Sequence, residues 1–365
     1  MTVGATIGVE EEYHLVDAET LQLADRPQVV EEAHRLLGDR AQSEISTSQL
    51  ETGTEVVRTL AELRAEVVRL RRGAEQAARA HGAHVLAAAT HPTATWQQQR
   101  LTPGVRYVGL VERWGLIALQ QLICGTHVHV GVDDPEVAVR LLAHLRADLP
   151  TLLALSGSSP YWEGTDSGYA SYRTLWYGRF QVTGSPEVFA DRAEYDRTVA
   201  DLVAAGIIDD ASHLYWDARP STRYPTVEVR VADACPPVDD VVLHAGLARA
   251  LVRVAAARAV CEQPAEQVRP EVVRAARWRA ARYGTQDALL DVRARRLRPA
   301  EEVVRALLDR LRPDLEEAGE WGEVSALAGQ ALARGTSAAR QRAVFARTGE
   351  LDDVVRTLLE ETGGG

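Results

Sequence analysis

The 365-residue chain contains no lysine and no asparagine, so all 41 positions counted as Lys or Arg are arginine. A P-loop lysine is thereby excluded, as are a Schiff-base mechanism and the lysine-dependent phosphate clamps of kinases and ATP-grasp enzymes. Any phosphate must be handled by arginine, metal and backbone amides. A GC-rich genome is the plain reading of the bias, and the exclusion holds whatever its origin. Cysteine is also scarce. Cys124, Cys235 and Cys261 are scattered and odd in number, so neither a disulfide framework nor a cysteine-based zinc site is expected. No run approaches the roughly 18 consecutive apolar residues of a membrane helix, and the N-terminus enters a strand-like pattern with no signal-peptide apolar region. A cytoplasmic protein is the expectation. The net charge of -11 and pI near 5.5 argue against a general nucleic-acid binder, whose affinity rests on a positive field. Small-molecule partners are favoured instead.

Against these absences stand three short stretches that read as strands and carry ionisable residues two apart: Gly8-Val9-Glu10-Glu11-Glu12, Gly125-Thr126-His127-Val128-His129-Val130 and Thr226-Val227-Glu228-Val229-Arg230-Val231. Side chains at i and i+2 of a strand share one face of the sheet. Glu10 with Glu12, His127 with His129, and Glu228 with Arg230 therefore form three coplanar pairs, while Glu11 points the other way. Carboxylates, imidazoles and a guanidinium on one face suggest a divalent metal and phosphate, and hence nucleotide-driven chemistry.

Along the chain the first hundred residues read as strand, helix, strand, long helix, strand, with Val56, Leu60, Leu63, Val67 and Leu70 as the apolar stripe of the long helix. Val85–Ala89 reads as a buried strand, a helix is expected around Val108–Leu122, and Val137–Leu155 is amphipathic. From Ser156 to Gly184 the pattern turns irregular, and loops of that length in a compact domain are usually functional. A helix near Pro186–Ala205 follows, then the polar segment His213–Ser221, and beyond Asp239 the pattern is almost wholly helical. The strands alternate polar and apolar, which suits an antiparallel sheet with one open face rather than a parallel sheet buried on both. The expected fold is α+β: a curved, largely antiparallel sheet backed by helices, its concave side carrying the chemistry. The whole chain, 1–365, is read as one catalytic domain, with a sheet-bearing core over 1–238, a mostly helical part over 239–362 packed on it, and a disordered tail at 363–365.

Each candidate has a plainer reading. Glu10 and Glu12 could be a solvated strand edge. Glu51, in Ser48-Gln49-Leu50-Glu51, adds a carboxylate on a second strand, with Glu44 before it. Two histidines on one strand face have few structural uses; zinc is the alternative metal there, but ligands that are carboxylates without cysteine fit Mg2+ or Mn2+ at least as well. Glu228 and Arg230 could be no more than a cross-strand ion pair. Arg173, Arg219 and Arg223 lie in or beside the irregular segments, within reach of a phosphate or a substrate carboxylate. Trp162, Trp176 and Trp216 are candidates to line an adenine or substrate pocket, with core packing as the alternative.

Taken together, Ile7-Gly-Val-Glu-Glu-Glu-Tyr13, Ser48-Gln-Leu-Glu51, Thr90-His-Pro92, Gly125-Thr-His-Val-His-Val-Gly131, Leu155-Ser-Gly-Ser-Ser-Pro-Tyr161 with Gly164-Thr-Asp166, Trp216-Asp-Ala-Arg-Pro-Ser221, Thr226-Val-Glu-Val-Arg230 and Arg279-Ala-Ala-Arg-Tyr-Gly284 resemble the glutamate-cysteine ligase type 2 family, in its YbdK-like carboxylate-amine ligase branch. The resemblance implies a glutamine-synthetase-like fold in which ATP lies over metal ions on the concave sheet face. It implies ATP-dependent amide formation through an acyl phosphate, with Mg2+ or Mn2+ as cofactor and an amino-acid-like carboxylate and amine as substrates. Glutamate-cysteine ligase activity is at most weak in that branch. Carried over by position, Glu10, Glu12, Glu51, His127 and Glu228 become metal ligands; His129, Arg230, Arg219 and Trp216 contact ATP; Arg219, Arg230 and Glu228 carry catalysis; and Arg173, Thr90, His91 and Arg282 bind substrate. A homodimer is also implied. Ala89, Thr93 and Thr285 replace residues that are often glycine, phenylalanine and leucine in the family, which bears on substrate choice more than on chemistry. A metal-dependent hydrolase using the His/Glu cluster, or a catalytically inactive ligand-binding relative, are the alternatives.

Overall fold

In a computed structural model, which describes residues 3–363, alternation along the strands sorts apolar from ionisable residues onto two faces of one antiparallel sheet. Its seven strands are β1 (Ile7–Asp17), β2 (Ala41–Ser43), β3 (Gln49–Gly53), β4 (Ala83–Leu86), β5 (Gly125–Gly131), β6 (Ala218–Pro220) and β7 (Thr226–Asp233), in the order β6-β7-β5-β1-β3-β2, with β4 pairing the far end of β1. Ile7, Val9, Val128, Val130, Val227 and Val229 point to the back and join the main core. Glu10, Glu12, His127, His129 and Glu228 occupy the opposite face.

The helix Leu60–Ala80 packs against that back. Thr59 and Glu62 close a capping box at its start, and Leu60, Leu63, Val67 and Leu70 are buried along one side, as the 3.6-residue period requires. Val56 is not part of the stripe: it precedes the cap and is 72% exposed. The helix Val238–Val260 is buried over most of its circumference, because the sheet, Leu60–Ala80 and the later helices Ala300–Glu317 and Trp321–Arg334 surround it. No helix among the described residues is long and apolar enough to cross a membrane.

The helix expected around Val108–Leu122 is instead Val105–Trp114 followed by a short turn, Leu116–Leu119, broken at Gly115 with φ 54°. Val137–Leu155 divides into Pro135–Arg140, Leu142–Leu145 and Leu149–Ser156, and the helix near Pro186–Ala205 runs from Arg192 to Ala204. The C-terminal part also contains a small hairpin, Leu289–Asp291 with Arg296–Arg298. At the tail, Gly363 ends the helix that begins at Leu351, while Gly364 and Gly365 lie outside the described residues.

Candidate functional site

The register of β1, β5 and β7 brings the three ionisable pairs together. Glu10 lies opposite His127, Glu12 opposite Glu51, and Glu228 opposite both His129 and Arg219. A bulge in β7 beyond Val229 leaves Arg230 beside His127. Glu10 carboxylate oxygens lie 3.5 Å from His127 Nδ1 and 3.3 Å from His129 Nε2, while His127 Nε2 is 3.7 Å from Glu12. Ligand atoms of Glu10, His129 and Glu228 all fall within 4.8 Å of one another. Glu11 points to the back, as expected, where Arg71 bonds it at 2.6 Å.

The electrostatics divide this face into two zones. Burial works to raise the Glu10 carboxyl, but the adjacent His127 and His129 imidazoles overcome it and hold Glu10 well below the usual carboxylate range. Burial likewise opposes ionisation of Glu228, and Arg230 and Arg219 hold it low. In the other zone Arg173 and Arg230 lie near Glu12 without offsetting its burial. Burial and the neighbouring Glu44 push Glu12 up to about 7, and burial with repulsion from Glu10, Glu44 and Glu12 pushes Glu51 well above the usual carboxylate range. Crowded buried carboxylates are costly, and a divalent cation would relieve both zones. His127 Nε2 and His129 Nε2 are buried without a hydrogen-bond partner, as open ligand positions would be. The donor set of carboxylate oxygens and imidazoles, without cysteine, suits Mg2+ or Mn2+. Glu44, named from the sequence as lying before Glu51 but not among the carried-over ligands, completes the second zone from just beyond β2.

A cavity of about 120 Å³ adjoins Glu12 and His127, walled by Arg173, Arg230, Tyr177 and Tyr215. Arg173 is 3% exposed. Its guanidinium lies 5.3 Å from the Tyr177 ring and 3.9 Å from Asp233, and its Nε has no partner. It fits because position 125 is glycine: a Cβ there would meet Arg173 Nη2 at 2.3 Å. Asp233, which sequence reasoning missed, accepts bonds from the Ser158 amide and the hydroxyls of Ser159 and Ser171. It thereby ties the irregular Ser156–Arg173 stretch to the end of β7.

Other sequence-derived residues lie elsewhere. Trp216 is 4% exposed and packs on Phe189, Tyr195 and Leu214; strand alternation turns Tyr215, and not Trp216, to the cavity. Trp162 and Trp176 stack on each other at 4.4 Å in a separate small core. Thr90 donates to the Tyr161 carbonyl. His91 spends both ring nitrogens on the backbone, at the Leu21 carbonyl and the Thr93 and Ala94 amides, and so braces a turn instead of facing substrate. Arg282 lies against the rings of Tyr169 and Tyr283, outside the residues that line the cavity. Arg219 reaches the face, but its Nε bonds Glu228 at 2.9 Å and its Nη1 bonds the Ser212 and Leu214 carbonyls. It holds Glu228 in place and is less free to meet a ligand than Arg230, whose Nε is unpartnered. A larger cavity of about 460 Å³ on the back of the sheet contains Arg79 and His84, both paired with Glu75.

The model of a family described as glutamate-cysteine ligase family 2 matches residues 6–357. A Mycolicibacterium smegmatis protein, provisionally named glutamate–cysteine ligase 2-2, is 44% identical over 98% of this chain and 90% of its own length. A longer Frankia casuarinae protein with the same provisional name is 43% identical, and the chain spans 41% of it. Among solved structures, the glutamate–cysteine ligase of Francisella tularensis in complex with AMP superposes with a TM-score of 0.73 over 100% of this chain and 90% of that one, at 14% identity. That likeness establishes a shared fold, the glutamine-synthetase-like antiparallel sheet backed by helices.

Proposed function

Because the chain belongs to glutamate-cysteine ligase family 2, a family of ligases, we propose that it is an ATP-dependent carboxylate-amine ligase. In this reading ATP phosphorylates an amino-acid-like carboxylate, and a small amine displaces the phosphate from the acyl phosphate to form an amide. One observation carries the reading: Glu228, anchored by Arg219 and Arg230, shares a single sheet face with Glu10, His127 and His129.

Mg2+ or Mn2+ would be held by Glu10, Glu228 and the histidines, with Glu12, Glu51 and Glu44 as a second set of oxygens. Bound there, the metal supplies neutralisation of phosphate charge. Arg230 adds a guanidinium aimed at the same region, since acyl-phosphate formation needs the charge on the transferring group offset. Arg219 acts through Glu228 by fixing its carboxylate. The orphan Nε of Arg173 is suited to a substrate carboxylate, and the Tyr177 and Tyr215 rings beside it exclude water from the acyl group. A hydrolase built on the same cluster has no use for two arginines bonded to Glu228. A cytoplasmic setting, where ATP is available, belongs to this reading.

The test is incubation of the purified protein with MgATP and pools of amino acids and amines, following phosphate release and new amide masses. Amine-dependent phosphate release with a rise in Tm on adding MgATP is expected. No such release with any pool, and no change in Tm, overturns the proposal.

A further inference from the structure

One helix beside the substrate cavity is held firmly at one end and by very little at the other. Up to Thr102 the chain is tied to the loop joining β2 and β3: the Thr102 amide donates to the Ile45 carbonyl, and the Thr47 amide to the Arg100 carbonyl, each at 2.9 Å. From Arg113 it is tied again. The Trp114 ring packs on Phe180, His213 and Tyr215 at 5.1, 5.5 and 5.9 Å, and Arg113 bonds the Gly206 carbonyl and Asp209. In between, among the described residues, Pro103 to Glu112 make one hydrogen bond beyond the helix and its caps, from the Tyr107 hydroxyl to the Ser43 carbonyl at 2.7 Å. Leu110 and Val111 add partial apolar packing near the anchored end, while Val105 and Val108 are exposed.

Glycine brackets the helix. Gly104 has φ 155° and Gly115 φ 54°. A Cβ at Gly115 would meet nothing within 4 Å, and one at Gly104 only Tyr107 Cδ2 at 4.0 Å. Packing asks for glycine at neither position; the backbone conformation does, and such positions absorb the torsion changes of a moving segment.

The Tyr107 side chain stands between two spaces. Arg106 and Tyr107 line both the cavity of about 120 Å³ at Glu12 and an outer cleft of about 680 Å³ that His34, Glu44 and Glu51 also line. Pockets for small organic ligands begin at roughly 300 Å³, so the inner space alone is too small for a carboxylate and an amine together. Swinging Tyr107 aside joins it to the cleft.

We propose that the helix Val105–Trp114 is a gate between cleft and cavity that pivots about Trp114, with Gly104 and Gly115 taking up the torsion change and Tyr107 on the Ser43 carbonyl as its latch. The gate rests on the ligase reading above and deepens it. Open, it passes substrates and product. Shut, it keeps water from the acyl phosphate, which water would split into the starting carboxylate and phosphate.

Tyr107→Phe keeps the ring and removes the latch. It should quicken hydrogen exchange over residues 104–110 by about threefold or more, the scale of one net hydrogen bond, leave β1 unchanged, and raise phosphate release that yields no amide. A second variant pins the gate shut. Cys261 is the exposed native thiol, so in a Cys261→Ser background Ser43→Cys and Tyr107→Cys are bridged with a reducible bifunctional thiol reagent. Amide formation should stop, and return when a reductant cuts the bridge; if this variant does not fold, Tyr107→Phe decides alone. Unchanged exchange in Tyr107→Phe, phosphate and amide still released one to one by it, or a bridged protein that forms amide overturns the gate. Wild-type protein that forms no amide overturns the ligase reading instead, and the exchange measurement then decides whether the helix opens.

Discussion

Glu228 is the residue on which most of the site depends. Its carboxylate is 3% exposed and meets guanidinium groups from two sides, so Glu228→Gln should keep its shape while removing the charge that Mg2+ and both arginines require. Mg-dependent ATP binding, read by calorimetry, is expected to fall at least about tenfold, since losing an ion-paired carboxylate costs more than 1.4 kcal/mol. Glu228→Ala should also lower stability by about 3 kcal/mol, because two buried arginines lose their counterion. Unchanged ATP affinity in Glu228→Gln would place the metal elsewhere. Gly125→Ala is the complementary change: its Cβ collides with Arg173, so KM for the carboxylate substrate should rise while MgATP affinity holds. The Glu and His pairs were legible in the sequence because a strand's period of two is rigid. The placements of Thr90 and His91 were not, because a motif tells which residues recur together and not whether a polar atom is already spent on the backbone, nor whether a side chain such as Trp216 or Arg282 packs on other rings.

At the scale of elements, the segment over 105–119 differs from the sheet it adjoins. In the helix Val105–Trp114 only Trp114 is buried, and Val105 is 93% exposed, yet Arg106, Tyr107 and Leu110 of the same helix line the cavity. Few buried contacts mean cheap local opening. Hydrogen exchange should be fast over 105–119, slow in β1 and β5, and slowed over 105–119 when substrate fills the cavity; equal protection in both regions would contradict this. The break at Gly115 escapes a periodicity reading, because apolar residues keep their helical spacing on both sides of a positive-φ glycine. The hairpin at 289–298 was missed for a similar reason, its strands being only three residues each. The antiparallel sheet was readable because every strand crossing the site alternates polar and apolar.

At the scale of the whole molecule, burial sets the response to acid. His91 and His244 are sealed in the interior, and burial pushes each imidazole down to about 4. The unfolded chain takes up a proton on each near pH 6.5, while the folded chain refuses it until near pH 4. The contribution of these two histidines should therefore be steady above pH 6.5 and decline as pH falls towards 4, by about 2 kcal/mol each between pH 6.5 and 5, opposed by Glu12, whose carboxyl raised to about 7 gains stability as pH falls from 7 towards 4.5. Urea midpoints across this range check it, and His244→Leu should flatten part of the slope.

The central claim is that phosphate leaves ATP by way of the substrate's own carboxylate. Incubation with MgATP, an amine pool and amino acids labelled with heavy oxygen in their carboxylates tests it most directly, by mass analysis of the phosphate released. Transfer of one labelled oxygen into each phosphate is predicted, as an acyl phosphate requires. Amine-dependent phosphate release without label would contradict the account.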